Sequence, residues 1–405
     1  MSLKRLCIIE PAWTYYRFPV YQELSQRCHV DWVYSPSAKS TGFGAVARAT
    51  SPNLRYVELP SVRWFGSRFA MIQWGIAGHI LRQKPDAIFA SANLNYLSFW
   101  TTLLLARMKG IPFYAHGHGL IKRRKIGTLR RLMMKTLLRL VTSYVAYAPA
   151  VRESLAFQGL PLGKVCVAEN SLVNPCLVSP GEKTGKEQGI LFIGRLRRGS
   201  RLGMLLGVVK RLRQVDGLPV VLHVVGSGEE MQALRQEAKG NSWVKWHGQV
   251  YDPEEIRKVS RECLLGCYPG DAGLSVVHMM SLSLPVITHD DATRHGPETS
   301  FIRNGHSGVF FDHQNPEESL HQLLRSLAAS PSRIARMQRA AFQDYQSLVN
   351  PSLAERLWAI LSESCEVSMT NNAAVRLQPV AAGPMQAGLE VQYEPPSAGK
   401  PNPAP

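Results

Sequence analysis

An α/β protein with two parallel-sheet domains is what this sequence predicts, and three observations carry the prediction. Short apolar runs and amphipathic segments alternate along nearly the whole chain, as strands and crossover helices do in parallel sheets. The 405 residues, 45% of them hydrophobic, are too many for one typical domain and enough for two sizeable cores. A stretch rich in Pro, Gly, Ser and charge, Asn174 to Gln188, interrupts the alternation once, and the alternation then restarts.

Arg5 to Ile9 reads as the first strand, Pro19 to Gln26 as the next helix, and His29 to Tyr34, alternating apolar and polar, as the second strand. Asp86 to Ala90 has the composition of a buried strand. Tyr96 to Lys109 reads as a helix stopped by Gly110, with Pro112 beyond. Strands follow at Pro112–Ala115 and Ser143–Tyr147. After the interruption, strands at Ile190–Gly194, Pro219–Val225, Val244–His247, Leu264–Tyr268 and Pro285–Thr288 alternate with helices at Leu202–Val215, Met231–Ala238, Pro253–Glu262 and Leu274–Ser283. Pro316–Ala329 and Pro331–Ser347 close as helices, and Pro351–Cys365 reads as a last helix placed to cross back to the first domain. From Glu366 onward Pro, Ala, Gly and Ser dominate, the composition of a disordered tail. The expected division is 1–175, a linker at 176–188, 189–350, a helix at 351–365 and a tail at 366–405. No repeat of solenoid period is present.

Lys and Arg number 47 against 30 Asp and Glu, a formal net charge of +17. Such an excess implies an anionic partner: nucleic acid, an acidic membrane surface or a phosphorylated ligand. The first ten residues carry too short an apolar run for a secretory signal. Leu94 to Met108 falls short of the ~20 residues that span a bilayer. Seven cysteines without Cys-x2-Cys spacing suggest neither a disulfide framework nor a zinc site. The expected location is the cytoplasm, free or attached to the membrane face.

The most informative segment runs from Tyr268-Pro-Gly-Asp-Ala-Gly-Leu-Ser275 through Pro285-Val-Ile-Thr-His289. A strand ends in a Gly-rich turn, and a helix starts near Leu274. Backbone N–H groups at a helix N-terminus hold anions, and glycines such as Gly270 and Gly273 let a phosphate approach. The same pattern also describes an ordinary βα turn.

This segment, with Pro297-Glu298 and Gly305…Gly308-Val-Phe-Phe311, resembles the donor-site region of glycosyltransferase family 4, in its bacterial polysaccharide-type subset. Ile190-Leu-Phe-Ile-Gly-Arg-Leu196, Val224-Val-Gly-Ser-Gly-Glu229, Trp246-His-Gly-Gln249 and Val165 to Asn174 agree with that family in order and spacing. The resemblance implies the GT-B fold, with an acceptor domain and a nucleotide-sugar donor domain facing across a cleft. It implies a sugar moved from a nucleotide diphosphate to a glycan or lipid-linked acceptor, with retention of configuration and no metal or cofactor.

In the family an Arg and a Lys five residues later clamp the donor diphosphate. Arg195 matches the Arg, and Ser200 stands where the Lys is expected. Arg198 and Arg201, like Arg197, lie beside it, and a guanidinium binds phosphate bidentately. The family's Glu-x7-Glu pair maps onto Gly270 and His278. Asp271 adjoins the first slot, and His278 retains the ability to hydrogen-bond a ribose hydroxyl. Gly226, Gly273, Leu274, Ser275 and Glu298 complete the donor side implied by the resemblance.

In the first domain Phe113-Tyr-Ala-His-Gly-His-Gly-Leu120 resembles the Gly-His-Gly turn of that subset. The resemblance puts His118 in the catalytic histidine slot, with His116, Gly117 and Gly119 on the acceptor side. Arg17, in Tyr16-Arg-Phe-Pro-Val-Tyr21, is placed toward the cleft. Residues 122–140 are basic and free of acid, with Leu129, Leu132, Met133, Leu137 and Leu140 on one stripe. This is either a helix that docks on an anionic membrane or a half-buried helix with a solvated basic face. The missing Lys and Glu pair leave open a non-catalytic GT-B relative that serves as a scaffold in glycan assembly. Nucleic-acid binding is suggested by charge alone, without aromatic interleaving or a helix-turn-helix pattern.

Overall fold

The computed structural model describes residues 3–36, 51–63, 71–120, 126–183 and 188–367. The tail from 368, the Lys122–Lys125 run and linker residues 184–187 lie outside the described residues.

The chain opens with β1 (Arg5–Ile9), α1 (Phe18–Ser25), β2 (His29–Tyr34) and β3 (Leu54–Glu58). A small antiparallel pair follows, β4 (Ser61–Arg63) and β5 (Met71–Gln73). Then come α2 (Ile76–Gln83), β6 (Ala87–Ser91), α3 (Leu97–Met108), β7 (Phe113–Gly117), α4 (Thr128–Leu140), β8 (Ser143–Ala146), α5 (Pro149–Phe157) and β9 (Val165–Val167). Seven of these strands form one parallel sheet in the order β3-β2-β1-β6-β7-β8-β9. Strand geometry sorts its side chains onto two faces. Leu6 and Ile8 of β1 pack with Val20 and Leu24 of α1, whereas Cys7 and Ile9 pack with Ile80, Leu103, Leu137 and Val151 from α2, α3, α4 and α5.

The second half contains β10 (Gly189–Ile193), α6 (Leu202–Gln214), β11 (Val221–Val225), α7 (Met231–Glu237), β12 (Val244–Gly248), α8 (Pro253–Arg261), β13 (Cys263–Cys267), α9 (Ser275–Ser281), β14 (Val286–His289) and β15 (Gly308–Phe311). Its six strands are parallel in the order β12-β11-β10-β13-β14-β15. The strand runs Gly189-Ile-Leu-Phe-Ile193 and Val221-Leu-His-Val-Val225 are nearly all buried, as strands covered on both faces must be. Helix α8 shows the local signals at their clearest. Asp252 caps it by accepting the Glu254 N–H at 3.0 Å, Pro253 sits in its first turn, and Lys258 and Arg261 lie in its last.

Helices α10 (Pro316–Ala328) and α11 (Pro331–Val349) follow, and then α12 (Leu353–Val367). α12 returns to the first sheet, where Leu353, Leu357 and Leu361 join the α1 side of the core. Ser352 Oγ donates to Glu23 at 2.7 Å. The helix runs on through Glu366 and Val367, two residues into the stretch read as tail.

In both sheets the strand order reverses once, between β1 and β6 and between β10 and β13. Crevices outside the carboxyl ends of strands at such points are where α/β sheets bind ligands. The two-domain arrangement is GT-B.

Candidate active site

The second sheet's switch point is built by glycines. β10 runs out into Gly194-Arg195, and β11 into Gly226-Ser227-Gly228. A Cβ on Gly226 would lie 1.9 Å from the Gly194 carbonyl oxygen, and one on Gly228 would lie 2.1 Å from that of Leu196. Gly226 also has φ +141°, which a side chain disfavours. The two turns are stitched together by Gly194 N–H to Val225 O at 3.0 Å and Leu196 N–H to Ser227 O at 2.9 Å. Only bare backbone fits there, so the turns leave an open cavity of about 460 Å³ above them. That volume lies within the usual range for small-ligand sites.

Arg195, Gly226, Leu274, Ser275 and His278 line this cavity, together with Gln249, Val250 and Tyr251 from the turn after β12. Tyr15 and Tyr16 close it from the first domain. Tyr15 meets Tyr251 edge-on across the cleft, with ring centroids 5.9 Å apart. Among the described residues no acid lines the cavity, and Arg195 is a cation at the wall. Burial pushes the His278 pKa down to about 4, so its imidazole faces the cavity neutral. A neutral imidazole can exchange hydrogen bonds with a hydroxyl without drawing in a counter-charge.

Gly270 and Ser200, which stand in the family's carboxylate and Lys slots, are taken up by a backbone contact. A Cβ on Gly270 would lie 2.0 Å from the Gly199 carbonyl oxygen. Asp271 N–H donates to that same oxygen at 2.8 Å. Ser200 is fully buried in the turn. Asp271 does not line the cavity; its carboxylate is held by Arg294 Nε at 3.2 Å. Arg197 reaches back to the Asp271 carbonyl at 3.4 Å and braces the turn. Arg198 is exposed outside the cavity wall, and Arg201, with φ 52°, starts α6. Arg195 is thus the member of this arginine group that faces the cavity.

His295, which no sequence motif marks, fixes the same turn. His295 Nδ1 accepts the Ala272 N–H at 3.1 Å, while its Nε2 donates to the His289 carbonyl at 2.8 Å. The ring stacks on His289 at 4.0 Å. Gly296 N–H donates to the Ala272 carbonyl at 2.7 Å, so both polar groups of Ala272 are clamped. One position further along the chain than Pro297, buried Glu298 faces the first domain and accepts from Asn170 Nδ2 at 2.6 Å. Its other oxygen lies toward Gly296 and Gly273. Glu298 joins the two domains and does not line the cavity.

On the acceptor side the residues proposed from sequence separate into core and cleft. His116 is packed between Phe89 and Tyr147, and burial, reinforced by the Arg17 charge, pushes its pKa well below the ordinary value. It is a neutral histidine of the sheet. His118, at the end of β7, is exposed, 6.4 Å from the Tyr147 ring. Gly117 has Ala92 and the Tyr144 hydroxyl 3.1 Å from where a Cβ would lie. Gly119 has φ +56° and donates its N–H to that hydroxyl at 2.8 Å. Both glycines shape the turn that carries His118. Arg17 is buried between the Tyr16 and Tyr147 rings, 5.5 and 5.6 Å from their centroids. Its Nε lies 3.8 Å from Glu10, which also accepts the Tyr21 hydroxyl at 2.7 Å.

Three histidines with depressed pKa values make the fold acid-sensitive. His223, His278 and His289 all have pKa values pushed down to about 4, by burial first. The folded state refuses protons that the unfolded chain accepts below about 6.5. The contribution of these three histidines to stability is therefore flat above neutrality and falls as pH drops from about 6.5 toward 4, by about 1 kcal/mol per group and pH unit. Melting curves across that range are expected to show this, and a melting temperature independent of pH would contradict it.

The fold and this site define a GT-B protein with an open cavity at the switch point of its second domain. Residues 187–329, in the second domain, match the sequence family described as Glycosyl transferases group 1. No curated protein matches the chain by sequence. Among solved structures, HepE of Anabaena in complex with UDP and glucose is similar at TM-score 0.64 and 13% identity, over 89% of this chain and 99% of that one. Sucrose-phosphate synthase of Thermosynechococcus elongatus is similar at TM-score 0.69 and 14% identity, over 90% and 100%. The pneumococcal O-GlcNAc transferase GtfA, in complex with UDP and GlcNAc, is similar at 0.66 and 10%, over 90% and 99%.

Proposed function

We propose that this protein is a hexosyltransferase that moves a sugar from a nucleotide-diphosphate donor to a glycan or lipid-linked acceptor in cell-surface polysaccharide synthesis. The reading includes retention of configuration, no metal or cofactor, and work on the cytoplasmic side of the membrane. The observation that carries it is the cavity at the second switch point, with Arg195 at its wall, bare glycine backbone at its floor and no acid among its described lining residues. In this reading Arg195 and the Gly194 and Gly226 turns hold the diphosphate, His278 the ribose, and the Val250–Tyr251 side the base. His118, across the cleft, orients the acceptor or stabilises the departing diphosphate. Leaving-group charge is stabilised by groups already fixed in place, where such stabilisation is most effective. UDP-sugars are the first donors to try, because HepE and GtfA bind UDP.

One observation favours a second reading, a non-catalytic relative that binds partners in glycan assembly: the Gly270–Gly199 contact closes the slot of the family's first carboxylate. Thermal shift with a panel of UDP-, GDP-, ADP- and dTDP-sugars, combined with release of nucleoside diphosphate, separates the two. Shift with release supports the enzyme; shift without release supports the second reading; neither sinks both. With the active donor in hand, Arg195→Ala is expected to lower kcat/KM about 100-fold. The melting temperature should hold, because the side chain is exposed. Unchanged kinetics would remove Arg195 from the diphosphate site.

A further inference from the structure

Helices α2, α3 and α4 lie together on one face of the first sheet, over a single hydrophobic cluster. Their outer surface departs from the polar face that such helices normally show. Helix α3 is apolar on the face toward the sheet and on much of its outer face. Phe99, Leu103 and Ala106 face the sheet, while Leu97, Leu104 and Met108 stand in solvent, Met108 76% exposed. With exposed Thr101 these form a stripe at i, i+4, i+7 and i+11. Helix α4 adds exposed Leu129 and Leu132.

The same surface is cationic. Arg107, Lys109, Arg131, Lys135 and Arg139 are all exposed. Between Met71 and Arg152 the sequence has thirteen Lys and Arg and one acid, Asp86. The Asp86 carboxylate accepts the Lys4 and Arg5 backbone N–H groups at 2.9 and 2.8 Å, at the end of the sheet away from the cleft. So most of the chain's net charge of +17 comes from this stretch, with nothing on the helices to neutralise it.

That combination selects the occupant. A second copy of the chain would set cations against cations. The segment after Val367 leaves α12, which packs with α1 on the opposite face of the sheet. Residues 368–405 hold two basic and two acidic residues, so they bring no complementary charge. A nucleic acid would match the cations and leave the apolar stripe unmatched. A bilayer rich in anionic phospholipid matches both: apolar side chains enter the interfacial layer, and Lys and Arg meet headgroup phosphates. Among the described residues no helix is long and apolar enough to cross a membrane, so the contact is one of surface.

We propose that the outer face of α3 and α4 docks flat on an anionic phospholipid bilayer, with Leu97, Leu104 and Met108 inserted. Leu97 follows the carboxyl end of β6, so the stripe starts at the rim of the cleft. The inference rests on the glycosyltransferase reading only for its purpose, the reach to a lipid-linked acceptor; the docking itself is measured without turnover.

The test uses the full chain with vesicles of phosphatidylcholine, or of phosphatidylcholine with about one third phosphatidylglycerol, and sedimentation as readout. Binding to the anionic vesicles that weakens with added salt is expected. The double variant Leu104→Glu/Met108→Glu should bind about tenfold more weakly or less, at low salt, with the wild-type melting temperature. Wild type that binds neither vesicle, or a double variant that binds as wild type does, overturns the proposal. So does a wild-type dimer that the double variant converts to monomer, since the face would then serve self-association. Nucleotide-induced thermal shift is recorded in parallel. If no nucleotide shifts the wild type while vesicle binding follows the expected pattern, the enzyme reading fails and the docking face stands.

Discussion

Gly270→Glu, which returns to this slot the carboxylate that the family resemblance places there, is expected to destroy nucleotide-sugar binding and to cost about 3 kcal/mol or more of stability. The obstacle is the first carbon of the new side chain, since it would sit 2.0 Å from the Gly199 oxygen and 2.7 Å from the Ser200 carbonyl carbon. Both are backbone atoms and cannot rotate aside. The turn they belong to is pinned by the Asp271 N–H and by the Ser200 N–H to Arg197 O bond at 2.7 Å. To make room, the segment that follows Arg195 must move, and the cavity wall moves with it. Gly270→Ala carries the same Cβ without the charge, so it should lose nearly as much. Asp271→Ala removes only a half-exposed ion pair and should cost under about 1 kcal/mol. Melting temperature and UDP-induced thermal shift measure all three. A Gly270→Glu protein that melts as wild type and binds donor more tightly would falsify the close contact.

The same turn shows how far the sequence could be read. Strands such as Gly189–Ile193 were legible because covered parallel strands are continuous apolar runs. β3, with Arg55, Tyr56 and Glu58 in five residues, sits at the sheet edge with only Leu54 buried, so its composition carries little signal. The β4–β5 pair and helices α2 and α5 were passed over for lack of a strong period in such short segments. Arg195, Gly226 and His278, which line the cavity, were legible because their segments resemble the family's donor-side motifs in order and spacing. Tyr15 and Tyr251 were not, since their meeting depends on how two domains pack. His295 and Asn170 likewise gain meaning only through Ala272 and Glu298, 23 and 128 positions away. Gly270 was singled out as a donor residue, and only geometry shows that a backbone contact explains its lack of a side chain.

Arg17→Ala is expected to be the other severe change, about 3–5 kcal/mol near neutral pH, because it strands a buried carboxylate. Arg17 and Glu10 are 3% and 8% exposed. Burial raises the Glu10 pKa, and the Arg17 charge is the largest influence pulling it back down. For Arg17, burial works against the charged form, but the ring of Tyr147, Tyr21, Tyr16 and Glu10 holds its pKa above the ordinary arginine value. Without Arg17 the Glu10 pKa rises further. A carboxyl whose folded pKa exceeds its unfolded value of about 4.3 costs stability only as pH climbs above that value, and the cost grows until the folded pKa is passed. The deficit of Arg17→Ala should therefore be large at about pH 7.5 and shrink toward pH 5, each variant being compared with wild type at the same pH. Adding Glu10→Gln should recover much of it, since a neutral amide leaves no buried charge. Equal deficits at both pH values and no recovery with Gln would sink the ion-pair account. In that case the loss would come from packing, because Arg17 also lies between Tyr16, which walls the second-domain cavity, and Tyr147, which stands beside His118.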